Sequence, residues 1–200
     1  MAFVNIHKRE IQAKIVYYGP GRGGKTTNLE HIQRKLRDRV KSEMITIKTK
    51  GDRTLFFDFL PLDVGKIKGF SFKFQLYTVP GQVLYNETRK LVLRGVDGIV
   101  FVADSLAMRQ EKNIISLRGL QENLASYHKD IFKIPLVMQY NKRDLDNQRI
   151  HLLPVQVMEK NLNSKLKVPV FHASAINGTN VVPTLKKIIL LTVESLSKDL

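Results

Sequence analysis

The sequence predicts an α/β fold, a mainly parallel sheet with helices on both faces. Three observations carry that reading. Strand-like and helix-like runs alternate along the chain. One run, Gly98-Ile99-Val100-Phe101-Val102-Ala103, is continuously apolar, as a central strand buried on both faces must be. A glycine-rich turn from Gly19 to Gly24 stops a β-rich run and opens a helical one.

Before that turn, Ala13 to Tyr18 is rich in β-branched and aromatic side chains and reads as a strand. Ahead of it, Phe3-Val4-Asn5-Ile6-His7 reads as an added amino-terminal strand, with a hairpin turn near Lys8-Arg9-Glu10. After the turn, Lys25 to about Lys41 reads as a helix, with Leu29, Ile32 and Leu36 at helical spacing. Two strand-like runs follow, Leu55 to Leu60 and Phe70 to Thr78. In the second, Phe70, Phe72, Phe74 and Leu76 alternate with Ser71, Lys73 and Gln75, so one face is half exposed, as near a sheet edge. Shorter strands are predicted at Leu136 to Tyr140 and Val168 to Phe171. Helical patterns occupy Glu111 to Tyr127, Pro154 to Leu162 and Val181 to Leu196, the last with Val182, Leu185, Ile189, Val193 and Leu196 on one face. No repeat, low-complexity tract or linker divides residues 1–200, which predicts one domain.

Apolar residues make up 43% of the chain and charged residues 26%, ordinary for a globular protein. There is no run of about 18 apolar residues and no secretory signal in MAFVNIHKRE. With no cysteine, disulfides, zinc-thiolate sites and cysteine lipidation are excluded. These features together predict a cytoplasmic protein. The charge is unusual: 33 Lys plus Arg against 18 Asp plus Glu leave +15, which points to an anionic partner. The densest stretch, Arg34, Lys35, Arg37, Arg39 and Lys41, reads first as a solvated helix end, where cations are favoured, and second as peripheral contact with an anionic membrane. Nucleic acid is not the expected partner, because no aromatic-basic RNA motif and no recognition helix accompany the charge.

Gly19-Pro20-Gly21-Arg22-Gly23-Gly24-Lys25-Thr26 matches the phosphate-binding pattern GxxxxGK[ST] at every fixed position, in the required setting between a strand and a helix. Glycines let successive backbone N–H groups converge on phosphate oxygens, and the start of the helix adds its positive end. Lys25 is expected to reach the β- and γ-phosphates, and the Thr26 hydroxyl to ligate Mg2+. Asn141-Lys142-Arg143-Asp144, at the end of a strand, reads as the NKxD element that selects guanine. An ionised carboxylate only accepts hydrogen bonds. Asp144 can therefore pair with guanine N1–H and the 2-amino group, and it repels the acceptor at N1 of adenine. Asn141 is expected to fix the loop, and the Lys142 stem to cover the base plane. Ala173-Ser174-Ala175 resembles the loop that supports the base, placing Ser174 and Ala175 in the site.

Together these elements resemble the Ras-like small GTPases, P-loop NTPases with a small G domain. Further runs narrow the resemblance to the MglA-type GTPases of prokaryotes, over essentially the whole chain: Lys25-Thr26-Thr27-Asn28-Leu29, Asp52-Arg53-Thr54-Leu55-Phe56-Phe57-Asp58-Phe59, Thr78-Val79-Pro80-Gly81-Gln82 and Asn141-Lys142-Arg143-Asp144-Leu145. The resemblance implies GTP/GDP and Mg2+ as ligands and GTP hydrolysis as the activity. Gln82 would orient the attacking water, and the Gly81 N–H would touch the γ-phosphate. Thr54 would ligate Mg2+ only when γ-phosphate is present. Arg53 would be an internal arginine finger, although on sequence alone it reads as one more cation in a basic segment. Gly19, Gly21, Arg22, Gly23, Gly24 and Thr27 complete the nucleotide-binding set, with Arg22 and Gly23 departing from the family pattern. The resemblance also implies a roadblock/LC7-type activating partner (MglB-like), polarity or motility effectors, and concentration at a cell pole. A second reading is a nucleotide-dependent binding module with negligible turnover.

The main departure is Thr78, which stands where most Ras-like proteins carry the aspartate that holds Mg2+ through water. Thr78 can still hold Mg2+ through a metal-bound water, but threonine brings no negative charge, so weaker Mg2+ binding than in a Thr78→Asp variant is expected. Phe56, Phe57 and Phe59 read as sheet packing, Asp104 as a cap or turn residue. The five histidines (His7, His31, His128, His151, His172) have no metal-ligand spacing. Replacing Asp144 by Asn removes the charged acceptor, so GTP affinity should fall about 100-fold and preference should move to xanthosine triphosphate, as measured by competitive nucleotide binding.

Overall fold

Backbone pairing joins the strand runs into one eight-stranded sheet in the computed structural model, which describes residues 3–5, 7–40, 43–48, 56–67, 69–81, 85–148 and 150–198. The strands are β1 (Phe3–Asn5), β2 (Glu10–Tyr18), β3 (Ile45–Lys48), β4 (Phe56–Ile67), β5 (Phe70–Thr78), β6 (Gly98–Asp104), β7 (Leu136–Asn141) and β8 (Val170–His172). Their order is β3-β4-β5-β2-β6-β7-β8, with β1 added antiparallel to the start of β2. The β5-β2-β6-β7-β8 block is parallel, while β3-β4-β5 is antiparallel. The helices are α1 (Lys25–Lys35), α2 (Asn86–Leu93), α3 (Gln110–Ala125), the single turn α4 (Val155–Met158) and α5 (Val181–Leu196).

The side-chain period of two along each strand divides the core between the sheet's faces. On one face Ile15 and Tyr17 of β2 and Val100 and Val102 of β6 pack with Leu29 and Ile32 of α1 and Leu185 and Ile188 of α5. On the other, Val16, Tyr18, Ile99 and Phe101 pack with Val92 of α2 and Leu120 and Leu124 of α3. Every residue of β6 is buried, as its unbroken apolar run requires. Full burial of each such side chain contributes about 1.5–3 kcal/mol. In β5 the expected alternation appears, and the strand lies third from the sheet edge. The amino-terminal hairpin also forms as expected, with Arg9 at φ 46 in its turn.

Several boundaries differ from the sequence reading. The helix opened by Lys25 ends at Lys35, not near Lys41: Leu36 leaves helical geometry and a short 3-10 turn, Arg37–Arg39, follows. This break brings Leu36 and Val40 onto the core, and Val40 bridges to Leu62. Arg34, Lys35, Arg37 and Arg39 are all exposed. β4 runs on past Leu60 through Pro61. The proline is tolerated because the β3 ladder covers only Phe56 to Phe59, so no bond on that side is lost. The expected helix 154–162 is one α turn followed by a π turn, Glu159–Asn163. Asn163 Nδ2 then donates to Val168 O at 3.0 Å and Oδ1 accepts from Val168 N at 3.0 Å, which delays β8 until Val170.

On α5 the buried face is Val181, Thr184, Leu185, Ile188, Thr192 and Val193; Val182 and Ile189 are only half-buried. The face is rotated because two threonines enter the core with satisfied hydroxyls. Thr184 Oγ1 donates to Asn180 O at 2.5 Å and Thr192 Oγ1 to Ile188 O at 2.8 Å. β3 and α2 were not anticipated: β3 has four residues, and α2 opens with the polar run Asn86-Glu87-Thr88-Arg89-Lys90. Among the described residues no helix is long and apolar enough to cross a membrane.

Gly98 begins the central strand directly under α5. A Cβ there would lie 2.3 Å from Thr192 Oγ1 and 3.3 Å from Ile188 Cδ1. Gly98→Ala should therefore destabilise the protein by about 1–3 kcal/mol in urea unfolding, with no change in far-UV circular dichroism of the folded state.

Candidate functional site

Four loops meet at the carboxyl ends of the parallel strands. Residues 19–24 leave β2, Val79 to Gly81 leave β5, Lys142 to Asp144 leave β7, and Ala173 to Ala175 leave β8. β2 is flanked by β5 and β6, which follow it in the chain on opposite sides. The crevice therefore opens at a topological switch point, where such sheets bind ligands.

The glycine-rich loop is shaped by its contacts as much as by its own torsions. Gly24 caps α1 at φ 95, and a Cβ there would lie 2.1 Å from Asn141 Nδ2. No side chain caps α1, so its first-turn N–H groups face the loop as a ready anion site. A Cβ on Gly81 would lie 2.1 Å from Gly21 Cα, so the glycine loop and the end of β5 touch backbone to backbone. Lys25 is buried within the loop and its Nζ donates to Gly19 O at 3.1 Å and Pro20 O at 2.7 Å. Burial, reinforced by the Arg89 and Arg109 charges and opposed by Asp58, pushes its pKa down to about 7. A phosphate chain set against this ammonium would favour its charged form.

Arg22, Gly24, Lys25, Thr26, Thr27, Thr78 and Gly81 line a cavity of about 360 Å3. Asp58, from β4, lies in the same cavity and was missed by the sequence reading. Its Oδ2 accepts from Thr26 Oγ1 at 2.6 Å and from Thr78 Oγ1 at 2.8 Å, and its Oδ1 from Thr46 Oγ1 at 3.0 Å. Asp58 N in turn donates to Thr78 Oγ1 at 2.9 Å. Thr78 brings no charge of its own, but the neighbouring strand places the Asp58 carboxylate against its hydroxyl. Phe57, beside Asp58, packs on the sheet as expected, its ring 5.9 Å from that of Tyr77, and it also lines the cavity.

A second cavity of about 240 Å3 shares Arg22, Gly24 and Thr27 with the first and is lined by Asn141, Lys142, Asp144 and Ala175. Asn141 ties it to the glycine loop: Nδ2 donates to Gly23 O at 2.8 Å and Oδ1 accepts from Ala175 N at 2.8 Å. Lys142 adopts φ 71 and its Nζ donates to Asp104 Oδ2 at 2.7 Å. Asp104 is fully buried, also accepts from Leu106 N, and serves as a turn residue as expected. Ser174 is buried beneath the cavity, accepting from Asn177 N at 3.2 Å. Arg53, Thr54 and Gln82 lie outside the described residues. No group of three or more His, Cys, Asp or Glu side chains among the described residues could hold a metal. A metal at this site would instead meet hydroxyl and carboxylate oxygens from Thr26, Thr78 and Asp58, hard donors of the kind Mg2+ takes.

Residues 1–191 match the family model described as the ADP-ribosylation factor family. The chain is 52% identical over 198 residues to the mutual gliding-motility protein MglA of Myxococcus xanthus (strain DK1622), covering 99% of each. It is 25% identical over 175 residues to the Ras-related protein RABG3c of Arabidopsis thaliana, covering 87% of this chain and 79% of that one. The Ras-related protein Rab7 of Cenchrus ciliaris matches at the same identity and coverage.

Replacing Asn141 by Ala removes both bonds that join the two loops and leaves the Gly23 carbonyl and Ala175 N–H without this partner. The cost should be about 2–4 kcal/mol in urea unfolding, and hydrogen exchange should accelerate at Ala175 first.

Proposed function

Because the chain belongs to the ADP-ribosylation factor family of small GTP-binding proteins, we propose that residues 1–200 act as one regulatory GTPase domain that binds GTP and GDP with Mg2+ and hydrolyses GTP to GDP. The observation that carries this reading is the pair of cavities joined at Gly24 and Thr27, one holding an ammonium beside a helix start and the other a carboxylate. In this reading the amides of residues 19–24 and the Lys25 ammonium hold the phosphates, with Arg22 and Thr27 beside them. Asp144 pairs with the guanine edge, Lys142 covers its face, and Ser174 and Ala175 support the base.

Thr26 and Thr54 would hold Mg2+, with Thr78 through water, and Asp58 would supply the carboxylate that Thr78 lacks, oriented by the Thr78 hydroxyl. When bound, the ion neutralises charge on the β- and γ-phosphates. Gln82 aligns the attacking water, Lys25 stabilises charge that grows on the transferred phosphoryl group, and Arg53 adds to it when a partner positions the arginine. Gly81 N–H and Thr54 read the γ-phosphate, so the segments that carry them differ between the GTP and GDP forms. Similarity to MglA supports a switch in cell polarity or gliding motility, acting in the cytoplasm or at a cell pole. A roadblock-type activating protein (MglB-like) and polarity or motility effectors are the proposed partners. The exposed Arg34, Lys35, Arg37 and Arg39 offer peripheral contact with anionic lipid.

Purified protein should carry guanine nucleotide that heat denaturation releases, and Lys25→Ala should abolish it; calorimetry showing no guanine preference would sink the proposal. Single-turnover hydrolysis with and without a roadblock-type partner should show acceleration that Gln82→Leu removes. Absence of turnover in both would leave a nucleotide-dependent binding module.

Asp58→Asn should weaken Mg2+ binding about 10–100-fold, as loss of a metal-orienting carboxylate does, read by titrating Mg2+ against nucleotide release. Thr78→Asp should give no gain, because it sets a second carboxylate against the first.

A further inference from the structure

Behind the glycine loop lies another cavity, of about 520 Å3, larger than the phosphate-facing one. Pro20, Gly21, Arg22 and Gly81 form the wall it shares with the nucleotide side. Arg89 of α2, Arg109 just before α3, and Lys112, Ile115 and Ser116 of α3 form the remainder. Four of its lining residues are cations, and no carboxylate lines it among the described residues.

Arg89 sets the character of this space. It is only 3% exposed, and its guanidinium lies 4.6 Å from the centre of the Tyr18 ring. Nη2 donates to Ser116 Oγ at 2.8 Å, whereas Nε has no hydrogen-bond partner among the described residues. A hydroxyl and an aromatic face cancel none of its formal charge, and a buried charge without a counterion is costly. Glu87, two residues before Arg89 on α2, is exposed. Asp104 is spoken for elsewhere, bonded to Lys142 at 2.7 Å and 3.6 Å from Arg109 Nε. Arg109 also donates to Gly21 O at 2.5 Å, so it braces the wall, while Lys112 is exposed. Neither Arg89 nor Lys112 lines the two cavities assigned to the nucleotide.

We propose that this cavity is a second oxyanion site, taking a phosphate-sized anion between the buried Arg89 guanidinium and the exposed Lys112 ammonium. A phosphate group suits it better than a single carboxylate, because it carries up to two charges near neutral pH and presents several acceptor oxygens to converging cations. Two sources share that chemistry: inorganic phosphate from solution, and the phosphate freed by hydrolysis across the shared wall. Only the second rests on the GTPase reading.

The test is calorimetric titration of inorganic phosphate into protein saturated with Mg2+ and GDP, in wild type, Lys112→Ala and Arg89→Lys. GDP affinity, measured in the same samples, reports on the nucleotide reading separately. One saturable phosphate is expected, weakened tenfold or more by Lys112→Ala and also by Arg89→Lys, which keeps the charge but not the fork of donors. Should Arg89→Lys fail to fold, Lys112→Ala decides alone. Phosphate binding that both variants leave unchanged would put the ion in the terminal-phosphate position of the nucleotide and overturn the proposal, as would no saturable binding. With the site supported, a fluorescent phosphate sensor in a single turnover identifies the source. A lag after hydrolysis that Lys112→Ala shortens identifies the product, and release in step with hydrolysis identifies solution phosphate.

Discussion

One side-chain amide holds the ends of three strands in register with each other. Asn141 reaches from the end of β7 to the Gly23 carbonyl beyond β2, and accepts from Ala175 N beyond β8. Both bonds are buried, where an unmet partner costs far more than an exposed one. The amide nitrogen also occupies the space that a Cβ at Gly24 would need, so the glycine and the asparagine require each other. Through this contact the glycine-loop cavity and the cavity of Asn141, Lys142 and Asp144 share one wall, a frame assembled without a ligand.

The acidic group of the site depends on a different, longer-range arrangement. Asp58 lies on an antiparallel strand whose pairing, Phe59 with Tyr77 and Leu60 with Leu76, brings it beside Thr78. Three hydroxyls donate to its two oxygens. A carboxylate and a threonine on adjacent strands are thereby joined, with the charge on one strand and the position on the other. That division sets a negative charge beside Thr78 although the threonine is itself neutral.

Legibility in the sequence followed the range of the interaction. The glycine loop, Asn141, Lys142 and Asp144 could be read because their spacing within a few residues is the chemistry, and β6 because an unbroken apolar run has few alternatives. Asp58 could not, since its role exists only once the β4–β5 register is known; the one local cue was an acid between Phe57 and Phe59. The α5 face was read only in part: Leu185 and Val193 are buried as expected. Thr184 and Thr192 look polar, yet their hydroxyls bond to carbonyls of the preceding turn and enter the core. Arg89 carried no signal at all among 33 basic residues; only its burial distinguishes it.

The contact between Gly21 and Gly81 leaves a thin partition between two chambers. Arg22 lines both chambers beside it, and a residue larger than glycine at position 81 must push the glycine loop and the end of β5 apart. Displacement of Gly81 is therefore felt by the glycine loop at van der Waals distance, with no flexible lever to absorb it, and what fills one chamber sets the room available in the other.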